Sequence, residues 1–323
     1  MFGRSCVGVV CLGVAALEVP VQEPRVPHVD PPAATRPAER ASAPAVRAAH
    51  RLVGTSADYV VKHGDTLQRL SARFGVEAAT LARENDLLPD ARLASGQVLR
   101  IDNRHIVPAA LDSVALVVNA PQRMLFHRSA DGATVGYPVA VGRADWPTPR
   151  GVFVVEVLER HPTWNVPPSI LEESRRKGRI QAAVVPPGPD NPLGDFWIGL
   201  SLAGIGIHAT NRPSSIFRTV SHGCIRVHPD DIARLFGRVQ VGAPGRIIYE
   251  PVLLAVQDDA VYLEVHRDAY RRVDAEPRAL ARTLAAAAGV LERVDWTLAD
   301  TVAARREGTA RDVTRISRSS RLP

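Results

Sequence analysis

The chain is short of cysteine. Three occur in 323 residues, and two of them, Cys6 and Cys11, lie in the first dozen. If that end is removed after export, Cys224 stands alone. A lone thiol excludes a disulfide framework, and in an oxidising compartment it needs a chemical reason to persist. Aromatic residues are also scarce, at 5%. The arginines are scattered, with no basic patch interleaved with stacking rings, so nucleic acid is not expected as a partner. Beyond the N-terminus no apolar run is long enough to span a bilayer as a helix. What remains is ordinary globular composition, 46% hydrophobic and 23% charged. A formal charge of +6 favours an anionic surface or a carboxylate-rich polymer.

The first residues combine Arg4 with an apolar stretch from Cys6 to Leu17, which contains Val14-Ala15-Ala16 as a small-residue site. That pattern reads as a signal peptide over residues 1–16, cleaved after Ala16, and predicts export. Residues 17–57 are rich in Pro, Ala, Arg and Val without helical or strand period. They are expected to form an extended spacer.

From Asp58 the texture becomes periodic. Tyr59-Val60-Val61 reads as a strand, and Asp65 or Thr66 can cap the helix that follows. Leu67, Leu70 and Phe74 share one face of that helix, and Gly75 ends it. A second helix directs Ala78, Leu81 and Ala82 inward, and Gln97 to Ile101 closes the unit as a strand. This βααβ unit, residues 58–103, resembles the LysM module. The resemblance rests on Tyr59, Val61, Gly64-Asp65-Thr66-Leu67, Leu81, Asn85, Leu88, Gly96, Leu99 and Ile101. It implies binding to the glycan strands of peptidoglycan.

Residues 111–250 alternate short apolar runs with Gly and Pro turns, which predicts a mainly β, sandwich-like or closed domain. Helices are expected over Ser169–Lys177 and Pro229–Gly237. Residues 251–323 open with a hairpin at Asp258-Asp259. Helices follow over about Glu276–Ala288 and Leu298–Arg306, an α+β accessory region without recognisable chemistry.

The chemistry gathers at Ser221-His222-Gly223-Cys224-Ile225-Arg226-Val227. A thiol attacks carbonyls as thiolate and needs a base or a positive field. His222 is two residues away, and His208, in Ile207-His208-Ala209-Thr210, ends the preceding strand. Two antiparallel or crossing strands would bring His208 beside Cys224. In a strand, His222, Cys224 and Arg226 share a face. Gly223 permits a tight turn with an amide turned toward an oxyanion. Arg226 has the planar fork that clamps a carboxylate. His105, His127 and His161 read as surface or packing residues, and His228 as a residue near a helix cap.

This segment resembles the YkuD-type L,D-transpeptidase catalytic domain, through the two motifs above with Thr148-Pro149-Arg150-Gly151, Pro162-Thr163-Trp164 and Pro186 to Gly194. The resemblance implies a β-sandwich-like domain. No cofactor is expected, and no metal either: His208, His222, Cys224 and His228 could ligate zinc, but their spacings match no standard finger and catalysis explains Arg226 better. It implies that Cys224 forms a thioester with the third stem residue, diaminopimelate, and releases D-alanine. An amine then resolves the thioester, giving a 3→3 cross-link or a wall-anchored outer-membrane lipoprotein. His208 is implied as base, His222 as support for the thiolate and Ser221 as an orienting group. The Gly223 and Cys224 amides are implied as oxyanion donors, and Arg226, Trp164 and Thr210 as substrate contacts. A periplasmic location and acylation by carbapenems follow from the same likeness. The family's usual glycine after the upstream histidine is Ala209 here; a positive φ there would cost alanine about 1 kcal/mol or more, but a tolerated change is expected, one able to narrow the cleft near His208. Two alternatives stay open: a wall-binding protein without catalysis, and a cysteine hydrolase of stem peptides.

Overall fold

The computed structural model describes residues 51–316. The expected signal peptide and most of the expected spacer lie outside them. Residues 52–57, expected in the spacer, instead make β1 (Leu52–Val53) and the start of β2 (Ser56–Val60). The small N-terminal unit continues with α1 (Leu67–Phe74), α2 (Ala78–Glu84) and β3 (Val98–Asp102), which pairs antiparallel with β2. Thr66 caps α1, its hydroxyl accepting from the Arg69 N–H at 3.2 Å. Asp65 folds back instead, accepting from Tyr59 Oη and the Lys62 N–H at 2.8 Å each. Gly75 stops α1 at φ 72°, a conformation that favours glycine. Leu67, Leu70, Leu81 and Leu99 bury between the helices and the ribbon, while Phe74 stays half-buried with its ring edge-on to Tyr59.

After β4 (His105–Ile106), which pairs with β1, come β5 (Leu116–Asn119), β6 (Met124–Arg128), β7 (Thr134–Gly142) and β8 (Gly151–Arg160). A two-stranded ribbon of β9 (Trp164–Asn165) and β10 (Val184–Val185) brackets α3 (Pro168–Arg176). Then follow β11 (Phe196–Leu200), β12 (Gly206–His208), β13 (Thr219–Ser221), β14 (Ile225–Val227), α4 (Pro229–Phe236) and β15 (Pro244–Ile248). The sheet runs β13-β7-β14-β12-β11-β8-β15-β5-β6 and closes through a further β6–β7 pairing. The expected sandwich is thus a sheet wrapped on itself. Long β7 makes closure possible, pairing with β6 along its first half and with β14 and β13 along its second. Leu116, Val139, Phe153, Ile198, Ile207 and Ile225 fill the interior, and α4 plugs it with Ile232 and Leu235. Pro229 starts α4 and the His228 ring caps it, accepting from the Asp230 N–H at 3.3 Å.

Gly206 in β12 is fixed by packing. A Cβ there would lie 2.3 Å from the Trp197 ring, and that ring stacks on His208 with centroids 5.8 Å apart. Gly206→Ala is therefore expected to lower stability by about 1–3 kcal/mol through overpacking. Thermal unfolding of the purified variant checks this, and an unchanged midpoint would refute it.

The C-terminal region is a hairpin of β16 (Val252–Gln257) and β17 (Ala260–Val265) carrying α5 (Pro277–Ala287) and α6 (Trp296–Arg305), with β18 (Arg311–Asp312) added to β17. Asp258 and Asp259 both take positive φ, 49° and 61°, as a tight two-residue hairpin turn requires. Ala281, Ala285 and Ala299 let both helices sit close on Leu254 and Leu263.

The three parts meet at Glu264, which is fully buried. Its carboxylate accepts from the Ile106 N–H (2.5 Å), His105 Nδ1 (2.8 Å), His266 Nε2 (2.8 Å) and Gln122 Nε2 (3.0 Å). Burial pushes this carboxyl up, but His105 and His266 outweigh it and hold it at about 2. His105 also donates through Nε2 to the Gly75 carbonyl, at 2.9 Å. Both its ring nitrogens are engaged. His105 is thus not the ordinary packing residue expected, but a hydrogen-bonded bridge from the end of α1 to β17. Arg123 adds a second tie, to Glu77 at 2.7 Å and the Phe217 carbonyl at 3.0 Å.

Candidate active site

The site is built on parallel pairing of β12 with β14, in the register Ile207↔Ile225 and His208↔Arg226. Parallel strands, neither antiparallel nor crossing, bring the two motifs together. Paired residues share a face and alternate residues repeat it. Cys224, one residue before β14, therefore lies on the face of Arg226 and diagonal to His208. Ala209 turns the other way. Its methyl is buried in the core beside Gly194, where a second Cβ would come within 2.6 Å. Ala209 is absent from the positive-φ residues. The missing glycine thus brings neither strain nor a narrowed cleft.

Burial pushes the Cys224 thiol up, while the Gly206 N–H and the Arg226 charge pull it down without cancelling the rise. His208 is only 4% exposed. Burial and the Arg226 charge hold its ring down at about 3, partly opposed by the Ala209 and Leu193 backbone. At neutral pH the resting site thus pairs a neutral thiol with a neutral imidazole. Trp197, unremarked in the sequence, covers the His208 ring.

The bend before Cys224 is tied from inside. Ser221 Oγ donates to the Cys224 carbonyl at 2.5 Å and accepts from the Gly223 N–H at 3.2 Å. Ser221 thus ties the two ends of the bend together. Gly223 adopts φ 105°, which a side chain would resist. Its N–H is engaged by Ser221, so the Gly223 amide is not the oxyanion donor expected.

His222 also differs from expectation. Its hydrogen bonds go away from the thiol. Nε2 donates to Glu173 Oε2 at 2.5 Å, and the ring stands edge-on to Trp146 at 4.9 Å. Arg143 Nη2 reaches the same carboxylate at 2.7 Å, and Lys177 Nζ at 2.5 Å. Lys177, His222 and Arg143 hold the Glu173 carboxyl at about 2. No local sequence signal marks Glu173, Arg143 or Trp146; only the helix carrying Glu173 was legible.

Arg143, Glu173, Lys177 and His222 help to wall a cleft of about 440 Å³ that reaches Arg226. Glu173 is its one carboxylate and is already paired. Arg179, Arg212, Arg218 and Arg226 face the same space. Arg226 Nε is buried without a partner, and burial lowers its guanidinium affinity for the proton, helped by the Arg212 charge. The lining is thus strongly positive. Trp164 lies on the β9–β10 ribbon and is not part of this lining. Thr210 Oγ1 accepts from the Arg212 N–H at 3.0 Å, a turn contact rather than a substrate contact.

Comparison with known proteins finds two family matches. Residues 113–248 match the YkuD L,D-transpeptidase catalytic domain and residues 59–102 the LysM domain. The chain is 35% identical to the probable L,D-transpeptidase ErfK/SrfK of Escherichia coli, over 67% of this chain and 71% of that protein. It is 30% identical to the probable L,D-transpeptidase YcfS of the same organism, over 77% and 79%. The NMR structure of the catalytic domain from the E. faecium L,D-transpeptidase aligns with 42% of this chain and 97% of that one, at 22% identity and a TM-score of 0.33. Among the described residues no helix is long and apolar enough to cross a membrane. The chain belongs to the L,D-transpeptidase family.

Proposed function

We propose that the protein works in the cell envelope, where Cys224 exchanges the terminal D-alanine of a peptidoglycan tetrapeptide for another amine. The thiol sulfur bonds to the carbonyl carbon of the third residue, diaminopimelate, and its proton passes to His208. The bond to D-alanine breaks, and the departing nitrogen takes that proton from His208. An incoming amine then attacks the thioester, loses a proton to His208 and restores the thiol. A diaminopimelate amine gives a 3→3 cross-link, and a lysine of an outer-membrane lipoprotein gives a wall-anchored protein. The LysM domain would hold the glycan strand while Arg226 receives a stem carboxylate. A substrate carboxylate on Arg226 also offsets the charge that depresses His208, so binding makes His208 a stronger base.

The single observation that carries this proposal is the β12–β14 register, which groups Cys224, His208 and Arg226 on one face. The test incubates the mature chain with purified disaccharide-tetrapeptide and weighs the products, with Cys224→Ala alongside. A dimer lacking one D-alanine, present only with Cys224, is the expected result. D-alanine release without a dimer would move the acceptor to a lipoprotein lysine or to water. No change in mass would defeat the proposed donor chemistry and leave wall binding as the function.

A further inference from the structure

The region after residue 250 reaches the catalytic bend through one side chain. Tyr270 follows β17, in the connection to α5. Its hydroxyl donates to the Gly142 carbonyl at 2.6 Å and accepts from the Thr148 N–H at 3.4 Å. Gly142 and Thr148 bracket a short loop, and the loop grips the bend at several points. Thr148 Oγ1 accepts from the Gly142 N–H and donates to the Gly223 carbonyl, both at 2.8 Å. The Arg143 N–H donates to the Ser221 carbonyl at 3.0 Å, and Trp146 stands against His222. The loop has no slack, since a Cβ on Gly142 would meet the Trp146 carbonyl at 2.2 Å.

Tyr270 is itself fixed from behind. Its ring stacks on Tyr249 at 5.3 Å, and its N–H donates to Tyr249 Oη at 2.9 Å. Tyr249 Oη donates to Asp268, whose carboxylate also accepts from the Arg272 and Val273 N–H groups at 3.1 and 2.9 Å. A continuous path of hydrogen bonds therefore runs from Asp268 through Tyr249, Tyr270 and Thr148 to Gly223, the residue before the nucleophile.

We propose that Tyr270 is a positioning residue for Cys224, and that the C-terminal region thereby completes the active site. The proposal rests on Cys224 being the nucleophile. Gly223 holds a positive φ that only outside contacts fix, and its carbonyl is anchored by Thr148. Removing the Tyr270 hydroxyl leaves the Gly142 carbonyl and the Thr148 N–H without their partner. The loop then relaxes and the bend samples other arrangements. Burial pushes the Tyr270 hydroxyl up, so it stays a donor across the working pH range.

The test is Tyr270→Phe in the full mature chain, because phenylalanine keeps the ring on Tyr249 and removes only the hydroxyl. The expected result is a fall in kcat for D-alanine release of roughly five- to tenfold, the size of one lost hydrogen bond, with KM changed less than about twofold. The pH profile of Cys224 alkylation by iodoacetamide should shift as well, which a purely structural role distant from the thiol would not produce. Thr148→Val should reproduce both effects, and the double variant should add little to either single one. Wild-type kcat and an unmoved alkylation profile in Tyr270→Phe would overturn the proposal, as would full additivity with Thr148→Val. If the wild-type chain releases no D-alanine at all, the transpeptidase chemistry fails. The alkylation profile then decides the positioning role by itself.

Discussion

His208→Gln is expected to cut acylation of Cys224 by about 10²–10⁴-fold, the range for loss of a general base, and Cys224→Ala to remove it. Glutamine keeps much of the shape under Trp197 but cannot carry the transferred proton. Rapid mixing with a carbapenem, read by intact mass, measures the acylation step alone. An adduct on His208→Gln at the wild-type rate would exclude His208 as base. The same residue predicts a pH effect on stability. Its folded affinity for the proton, about 3, lies far below the ordinary histidine value of 6.5. Between these values the unfolded chain binds a proton that the folded chain does not, so stability falls as pH drops through this window. His208→Gln should flatten that part of the curve. Denaturant midpoints from pH 7 to pH 4 check it, and parallel curves for variant and wild type would count against a neutral buried ring.

Glu264→Ala is expected to cost about 3–5 kcal/mol, the range for breaking a buried ion pair from one side. The loss comes less from the missing attraction than from what stays behind. The His105, His266 and Gln122 side chains and the Ile106 N–H would all be left in the interior without their acceptor. Glu264→Gln should recover part of the loss by accepting some of these bonds. The native carboxyl is held at about 2, below the usual glutamate value of 4.5. Its contribution is therefore present above pH 4.5 and is lost as pH falls toward 2. Chemical denaturation of both variants at neutral pH decides the matter. A cost under about 1 kcal/mol, the scale of an exposed pair, would show that the junction does not depend on this carboxylate.

The legible parts of the fold were those whose cause is local. Thr66 and Gly75 announce the ends of α1, and Asp258-Asp259 announces a hairpin. Pro229 with Asp230 and Asp231 announces the start of α4. The period-2 spacing of Cys224 and Arg226 told which face they share. Partners fixed by distant pairing left no local trace. His222 meets Glu173 across 49 residues and Tyr270 meets Gly142 across 128. Closure of the sheet depends on how long β7 persists beyond β6, which is decided by pairing rather than by propensity. Gly223 looked like an oxyanion donor because its flexibility was visible and the competing Ser221 hydroxyl was not. Ala209 was expected to be tolerated, but the reason lay out of sight in the sequence. The space that receives its methyl belongs to Gly194, fifteen positions away.

The bridge at His105 has a consequence for reach. A glycan-binding module on a flexible leash lets its enzyme search a sphere, and the local concentration of targets falls as the leash lengthens. Here Gly75, at the end of α1, is bonded to the ring that Glu264 anchors, and Arg123 braces Glu77 beside it. A module held this way would act as a ruler instead. If it grips a glycan strand, the thiol addresses only stems at a set distance and angle from the gripped sugars. Stems pointing elsewhere are left to enzymes of different geometry. Cross-links made this way would fall at a regular spacing along the strand.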